Sequence, residues 1–120
     1  MRDFSRYMVR NDITVREALI ALNRLSDDVL VLFVLDEKER LVGTLTDGDI
    51  RRKLIEGVSI TEKVSDVMNT RFHFVRKDEL RVETIKQLKA LGINLLPVLR
   101  NDNTIIEVYN LQKKKSVCLF

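Results

Sequence analysis

The chain has 120 residues, of which 45% are hydrophobic, 32% charged and 6% aromatic, and its formal net charge is +3. This balance excludes a disordered or disulfide-stapled chain, and the length predicts one domain or two small halves that share a core. The longest apolar run, residues 29–35, is far too short for a membrane span, and no apolar signal segment opens the sequence. The single cysteine, Cys118, excludes an internal disulfide, so we expect a cytoplasmic protein that does not contact a membrane.

The first half of the sequence predicts a helix, two strands of a hairpin and a second helix. These elements cover residues 14–25, 29–35, 41–45 and 46–56. Thr14 followed by Glu17 has the spacing of a capping box and fixes the start of the first helix. Gly57 ends the second helix, since glycine readily adopts the left-handed conformation that closes a helix.

The second half predicts the same plan after a short linking helix. The linking helix follows a Thr61 cap and carries the apolar residues Val64 and Met68. The later elements are a strand, a helix that ends at Gly92, and two strands. They cover residues 72–75, 78–91, 94–99 and 104–109.

The two halves form an internal repeat. Apolar positions of the long helices differ by 66 residues, as for Leu19 and Ile85, and those of the strands by 64, as for Val34 and Val98. The fold class is therefore α/β (α+β), with two copies packed sheet against sheet about a pseudo-twofold axis, which leaves two clefts between them. We assign residues 1–57 to the first repeat, 58–113 to the second and 114–120 to a C-terminal tail.

Patterns of catalytic and metal-binding residues are missing from the sequence. The one histidine, His73, falls in an alternating strand, Cys118 falls in an apolar tail, and no residues have metal-ligand spacing. The basic run at residues 113–115 has no interleaved aromatic residues, unlike a nucleic-acid-binding surface. We expect no catalysis, no metal site and no nucleic-acid partner within these residues.

Residues 43–52 hold the densest chemistry, at the point where a strand ends and a helix begins. Thr46 and Asp49 have the spacing of a capping box, which is a purely structural interpretation. In a ligand-binding interpretation, Gly43 admits a close approach to the strand, Thr46 donates to phosphate, and Asp49 accepts two ribose hydroxyls. Arg51 and Arg52 lie one turn inside the helix and offset the repulsion between the local acids and a phosphate. This set fits a nucleoside phosphate better than free phosphate.

The doubled plan of strand, helix, strand, strand and helix, with the glycine, threonine and aspartate of residues 43–49, resembles a CBS-domain pair (Bateman module). Residues 64–68 and 96–98 are similar to the start and the central strand of the family's second copy. The resemblance implies a regulatory module that forms a homodimer and binds AMP, ADP, ATP or S-adenosylmethionine, with no required cofactor. It also implies that Thr46 contacts phosphate and that Asp49 holds the ribose hydroxyls.

Residues 45–52 are similar, more narrowly, to CBS pairs that precede a sugar-phosphate nucleotidyltransferase domain of bacterial surface-polysaccharide pathways. Residues 114–120 resemble the segment that leads into that catalytic domain. The resemblance therefore implies that the module regulates a nucleotidyltransferase domain in the same chain.

The second copy departs from the ligand-binding pattern. The positions 64 residues after Gly43, Thr46 and Asp49 are occupied by Glu107, Asn110 and Lys113. The ribose-holding acid is missing there, and the sequence leaves open whether this half binds a ligand. The alternative function is a ligand-free structural module that mediates dimerisation.

Overall fold

The computed structural model describes residues 4–25 and 29–111, which form three α-helices and two three-stranded sheets. The described residues through Phe72 form one compact unit, and those from His73 form a second. The helices and strands are, in chain order, β1 (Met8–Arg10), α1 (Val15–Leu25), β2 (Val31–Leu35), β3 (Leu41–Thr46), α2 (Asp47–Ile55), β4 (Val75–Arg76), α3 (Val82–Ala90), β5 (Leu95–Leu99) and β6 (Ile105–Asn110). The predicted α+β fold class is confirmed.

In the first unit, β2 is the central strand of the sheet. It pairs in parallel with β1 and antiparallel with β3, and α1 connects the two parallel strands. One face of α1 is buried, as its helical spacing predicts, through Val15, Ala18, Leu22 and Leu25. Residues 32–35 of β2 are all buried, which explains why its sequence is a continuous apolar run and does not alternate.

The start of α1 is held by its own cap and by a later segment of the chain. The amide of Glu17 donates to Oγ1 of Thr14 at 3.2 Å, and Oε1 of Glu17 accepts from the amide of Thr14 at 2.9 Å. The carbonyls of Glu62 and Ile60 accept the first two amides of the helix, at 2.8 and 3.0 Å. The predicted capping box is therefore confirmed, and the segment after α2 completes it.

That linking segment belongs to the compact first unit. It forms a short 3-10 helix at Val64–Asp66, which begins after Lys63 and has no side-chain cap, so the predicted Thr61 cap is wrong. The hydroxyl of Thr61 instead shares a hydrogen bond with Ser59. Burial of Val64 and Val67 fixes the segment against the first unit. The repeat boundaries at residues 57 and 113 stay a prediction.

The second unit repeats the topology of the first. β5 is central, pairs in parallel with β4 and antiparallel with β6, and α3 precedes it. One buried cluster of this unit contains Val75, Leu96, Val98 and Leu111. The helix predicted to close this copy, and the tail at 114–120, lie outside the described residues.

The entry to α3 differs from the sequence prediction. The strand expected at 72–75 is Val75–Arg76, and the helix expected from Asp78 begins at Val82. Between them lies a separate 3-10 turn, Lys77–Glu79, because Oε1 of Glu79 accepts the amide of Arg76 at 2.9 Å and closes the chain on itself.

The two units share their strand register to the residue. Val34 pairs with Gly43 and Val98 with Glu107, and both differences, 98 − 34 and 107 − 43, equal 64. A register shift follows Val34 in one ladder and Val98 in the other. The predicted interval between the strands is confirmed by this pairing.

Candidate functional site

The strand-to-helix junction between β3 and α2 is organised by a reciprocal cap. The amide of Asp49 donates to Oγ1 of Thr46 at 3.0 Å, and the amide of Thr46 donates to Oδ2 of Asp49 at 3.1 Å. Thr46 is extended and ends β3, so the helix starts where the strand stops. The structural interpretation of this pair is confirmed, and Thr46 and Asp49 lie together as the ligand-binding interpretation requires.

The cap leaves part of the helix start open. It uses the amide of Asp49, and helix geometry gives the amides of Asp47 and Gly48 no acceptor inside α2. These groups, with the positive end of the helix dipole, are suited to an anionic ligand. The side chain of Asp49 is 24% exposed, so one face of its carboxylate reaches solvent.

Two ion pairs balance the charges around the cap. Oδ1 of Asp49 accepts from Nη2 of Arg52 at 2.7 Å, and Oδ2 of Asp47 accepts from Nη2 of Arg51 at 2.8 Å. The side chains of Arg51 and Arg52 are 65% and 69% exposed, so each pair contributes little to stability. The two arginines therefore lie beside the acids of the helix start as exposed positive charges, and their role in ligand binding stays a prediction.

Gly43 does not face an open space. A Cβ atom at this position would overlap Sδ of Met68 and lie 2.7 Å from its Cγ. The linking segment is fixed there because Thr44 and Asn69 exchange two backbone hydrogen bonds of 2.9 and 2.8 Å. The group that approaches the strand at Gly43 is thus Met68 of the same chain, a partner that the sequence did not identify.

The corresponding junction of the second unit has different chemistry. Glu107 and Asn110 lie at the register positions of Gly43 and Thr46, and both are half-buried. The second unit thus has a charged side chain at the position where the first has glycine. Lys113, the third residue predicted at this junction, lies outside the described residues.

The carboxylates with shifted pKa values lie in the hairpins, away from the cap. The backbone amide of Arg40 is the main cause that lowers the pKa of Asp36, with help from the Arg40 side chain and the amide of Lys38. The hydroxyl and the amide of Thr104 lower the pKa of Asp102 in the same way. Both shifts come from turn hydrogen bonds and do not mark a catalytic acid or base.

Neither a candidate metal site nor a candidate membrane span is present in the part of the chain that the structure describes. Within residues 4–25 and 29–111, no group of His, Asp, Glu or Cys is placed to hold a metal ion. None of the described helices combines the length and the apolar character needed to cross a membrane. His73 is exposed, and Cys118 falls outside the described residues.

A comparison with protein families finds a match within the first unit. The family model described as "CBS domain" matches residues 2–56. Solved structures share the fold over nearly the whole chain. The cystathionine beta-synthase pair domain of a putative Mg2+ transporter from Shewanella oneidensis has a TM-score of 0.77 at 17% identity, and the match covers 98% of this chain and 66% of that one.

Two further relatives carry functional descriptions. The cytosolic domain of the Mg2+ channel MgtE, solved in complex with ATP, is 25% identical with a TM-score of 0.72, over 93% of this chain and 45% of that one. The arabinose 5-phosphate isomerase KdsD of Pseudomonas aeruginosa is 34% identical over 65% of this chain and 24% of its own length. The chain thus spans about a quarter of this relative, and about 30% of a Helicobacter pylori protein that is 33% identical over 101 residues.

Proposed function

We propose that this chain, with the fold of CBS pairs and a CBS domain match in residues 2–56, is a regulatory module that binds an adenine nucleotide. The observation that carries the proposal is the Thr46–Asp49 cap at the open start of α2, within the matched segment. The similarity to the MgtE domain solved with ATP supports the choice of ligand class. AMP, ADP, ATP and S-adenosylmethionine remain the candidate ligands, and such a ligand places the module in the cytoplasm.

The cap residues can bind a nucleotide without losing their structural role. The Thr46 hydroxyl accepts from Asp49 through oxygen, which leaves its own hydrogen to donate to a phosphate. Each carboxylate oxygen of Asp49 has a second lone pair, so the group can accept both ribose hydroxyls while it still caps the helix. When the ligand binds, the guanidinium of Arg52 leaves Asp49 and pairs with the phosphate. The Arg52 side chain is exposed enough to make this change.

The enzyme that the module regulates acts, in this proposal, on a sugar phosphate. The sequence resemblance favours a sugar-phosphate nucleotidyltransferase domain in the same chain. The match to arabinose 5-phosphate isomerase KdsD supports the broader sugar-phosphate class. The module itself contributes regulation, while chemistry belongs to the attached domain.

A ligand-free dimerisation module is the second candidate. Ile55 in the first unit is 79% exposed, and Val82 and Leu91 in the second are 65% and 66% exposed; a second copy of the chain would cover apolar side chains of this kind. Both oxygens of Asp49 already have donors, which a purely structural role explains as well. A homodimer also accompanies the first candidate, so dimerisation alone does not separate them.

Thermal unfolding with AMP, ATP and S-adenosylmethionine separates the two candidates. A ligand at ten times its dissociation constant stabilises the native state by about 1.4 kcal/mol. Asp49→Ala should weaken binding at least tenfold, because two charge-assisted hydrogen bonds of about 1.5–3 kcal/mol each are lost. Without ligand, the same change costs about 0.5–2 kcal/mol through the cap.

Asp47→Ala is the matched control. It removes the same charge from the same helical turn and breaks the equivalent ion pair with Arg51, but it leaves the cap intact. We expect a full ligand shift in Asp47→Ala and little shift in Asp49→Ala. A full shift in both variants, or no shift in the unmodified chain, favours the dimerisation module.

A further inference from the structure

A cleft of about 630 Å³ opens at the hairpin end of the second unit, away from the Asn110 end of its sheet. Arg76, the last residue of β4, and Lys77, which follows it, form one wall, and Arg100 and Asn101 of the β5–β6 hairpin form the other. Leu99 and Ile106 give it an apolar floor. The volume falls within the range of small-molecule sites.

The two guanidinium groups of the cleft are held in place by neutral acceptors. Arg76 donates to the carbonyl of Arg100 and stacks on the ring of Phe74 at 5.1 Å. Arg100 donates to the Thr104 hydroxyl at 3.2 Å and to the Ile105 carbonyl at 3.1 Å. In the described part of the chain, neither guanidinium forms a direct ion pair with a carboxylate, although, after the hydroxyl and amide of Thr104, the charge of Arg100 helps to lower the pKa of Asp102 in the same hairpin.

The same place in the first unit is neutralised. The residue 64 positions before Arg100 is Asp36, whose carboxylate forms an ion pair of 2.7 Å with Arg40 inside its own hairpin. The backbone of the two hairpins is alike, since the amides of Asp36 and Arg100 donate to the carbonyls of Arg40 and Thr104. The backbone of the turn therefore does not require arginine, and the two hairpins carry opposite charges at this position.

We propose that this cleft binds a small organic phosphate, the phosphate held by Arg76, Arg100 and Lys77 above the apolar floor. Guanidinium groups match phosphate oxygens in pairs, and two fixed side chains lose little entropy on binding. Asn101, in the same wall as Arg100, supplies an amide to a hydroxyl of the organic part. Asp78 is the anionic group in the wall, and it favours a ligand with polar hydroxyls beside its charge.

The proposal is independent of the nucleotide site, because every residue in it belongs to the second unit. An NMR titration of the full chain with arabinose 5-phosphate, inorganic phosphate and arabinose tests it. We expect saturable shifts of the amides at 76–78 and 100–104 with the sugar phosphate, weaker ones with inorganic phosphate, and none with arabinose. The titration should be unchanged in Asp49→Ala, which separates this site from the nucleotide site.

Three variants decide which groups bind. Arg100→Gln should weaken binding about tenfold or more. Lys77→Gln should weaken it about threefold or more, and it removes a side chain with no hydrogen bond in the described structure, so folding is preserved. Arg10→Gln is the control: Arg10 ends β1 as Arg76 ends β4, its charge is exposed, and its removal should leave the affinity for the sugar phosphate unchanged.

Several results would overturn the proposal. They are unsaturated shifts up to about 10 mM sugar phosphate, equal affinity for inorganic phosphate, and equal loss of binding in Arg10→Gln. Unchanged binding in both Lys77→Gln and Arg100→Gln would do the same. Amide shifts with DNA or polyglutamate, and none with the sugar phosphate, would also contradict the proposal, because the cleft would then bind an anionic polymer.

Discussion

The contact between Gly43 and Met68 leads to a prediction with a defined size. In Gly43→Ala, the new methyl group would overlap Sδ of Met68 and lie 2.7 Å from its Cγ, well inside van der Waals distance. The Met68 Cβ is also close, at 3.1 Å, and its backbone cannot retreat because Asn69 is bonded to Thr44 on both sides. Overpacking costs about 1–3 kcal/mol, and better strand propensity returns about 0.5–1 kcal/mol. We expect a net loss of about 1–2 kcal/mol.

Urea unfolding of a double-mutant cycle measures this contact. Met68→Ala removes the atoms that clash, so the double variant should be more stable than the sum of the single changes predicts, by about 1 kcal/mol or more. Gly48→Ala is the control, because its Cβ would meet only Arg52 and Thr46, at 3.6 and 3.8 Å. We expect Gly48→Ala to be neutral or stabilising by up to about 1 kcal/mol. Additive losses in the cycle would show that Met68 is not the reason for the glycine.

Two further predictions concern the caps and turns. Asp36→Asn should destabilise the protein most above about pH 4. Amide donors of the hairpin lower the pKa of Asp36, so its charge stabilises the folded state at neutral pH. This contribution is lost as the pH falls through the folded-state pKa. The measurement is the difference in unfolding free energy between pH 7 and pH 3, and a constant difference would contradict the assignment. Thr14→Ala should lower the free energy of unfolding in urea by about 0.5–1 kcal/mol, the lower part of the range for a cap. The loss is small because the carbonyls of Glu62 and Ile60 still accept two amides of α1. A loss above about 2 kcal/mol would show that these carbonyls do not help to cap the helix.

The sequence predicted the elements that depend on local signals. Apolar spacing located α1 and the strands of both hairpins, and glycine located two helix ends, where Gly57 and Gly92 have φ values of +107° and +89°. The repeat was predictable because both copies need the same apolar positions to bury the same sheet face. The Thr46–Asp49 cap was predictable for a similar reason, since its three-residue spacing is itself the geometry.

Features that depend on distant contacts were not predictable in the same way. No local pattern links Met68 to Gly43, because their contact depends on how the segment after α2 crosses β3. The alternation at residues 72–75 indicates a strand, yet the ladder has partners only for Val75 and Arg76. The phosphate cleft was missed because its cations come from two separated turns, although the exchange of Asp36 for Arg100 between the copies was a visible signal.

The two units show which positions the fold fixes and which it leaves free. The ladder register, the shift after Val34 or Val98, and the left-handed residues Glu39 and Asn103, with φ of 66° and 72°, recur at the interval of 64. Polar positions do not follow this rule: Thr46 corresponds to Asn110, and Asp36 to Arg100. Because main-chain pairing and apolar burial hold each sheet, the ends of the strands can change charge at little cost in stability. The second unit, which lacks the Thr46–Asp49 pair at one end of its sheet, can therefore carry the proposed anion site at the other.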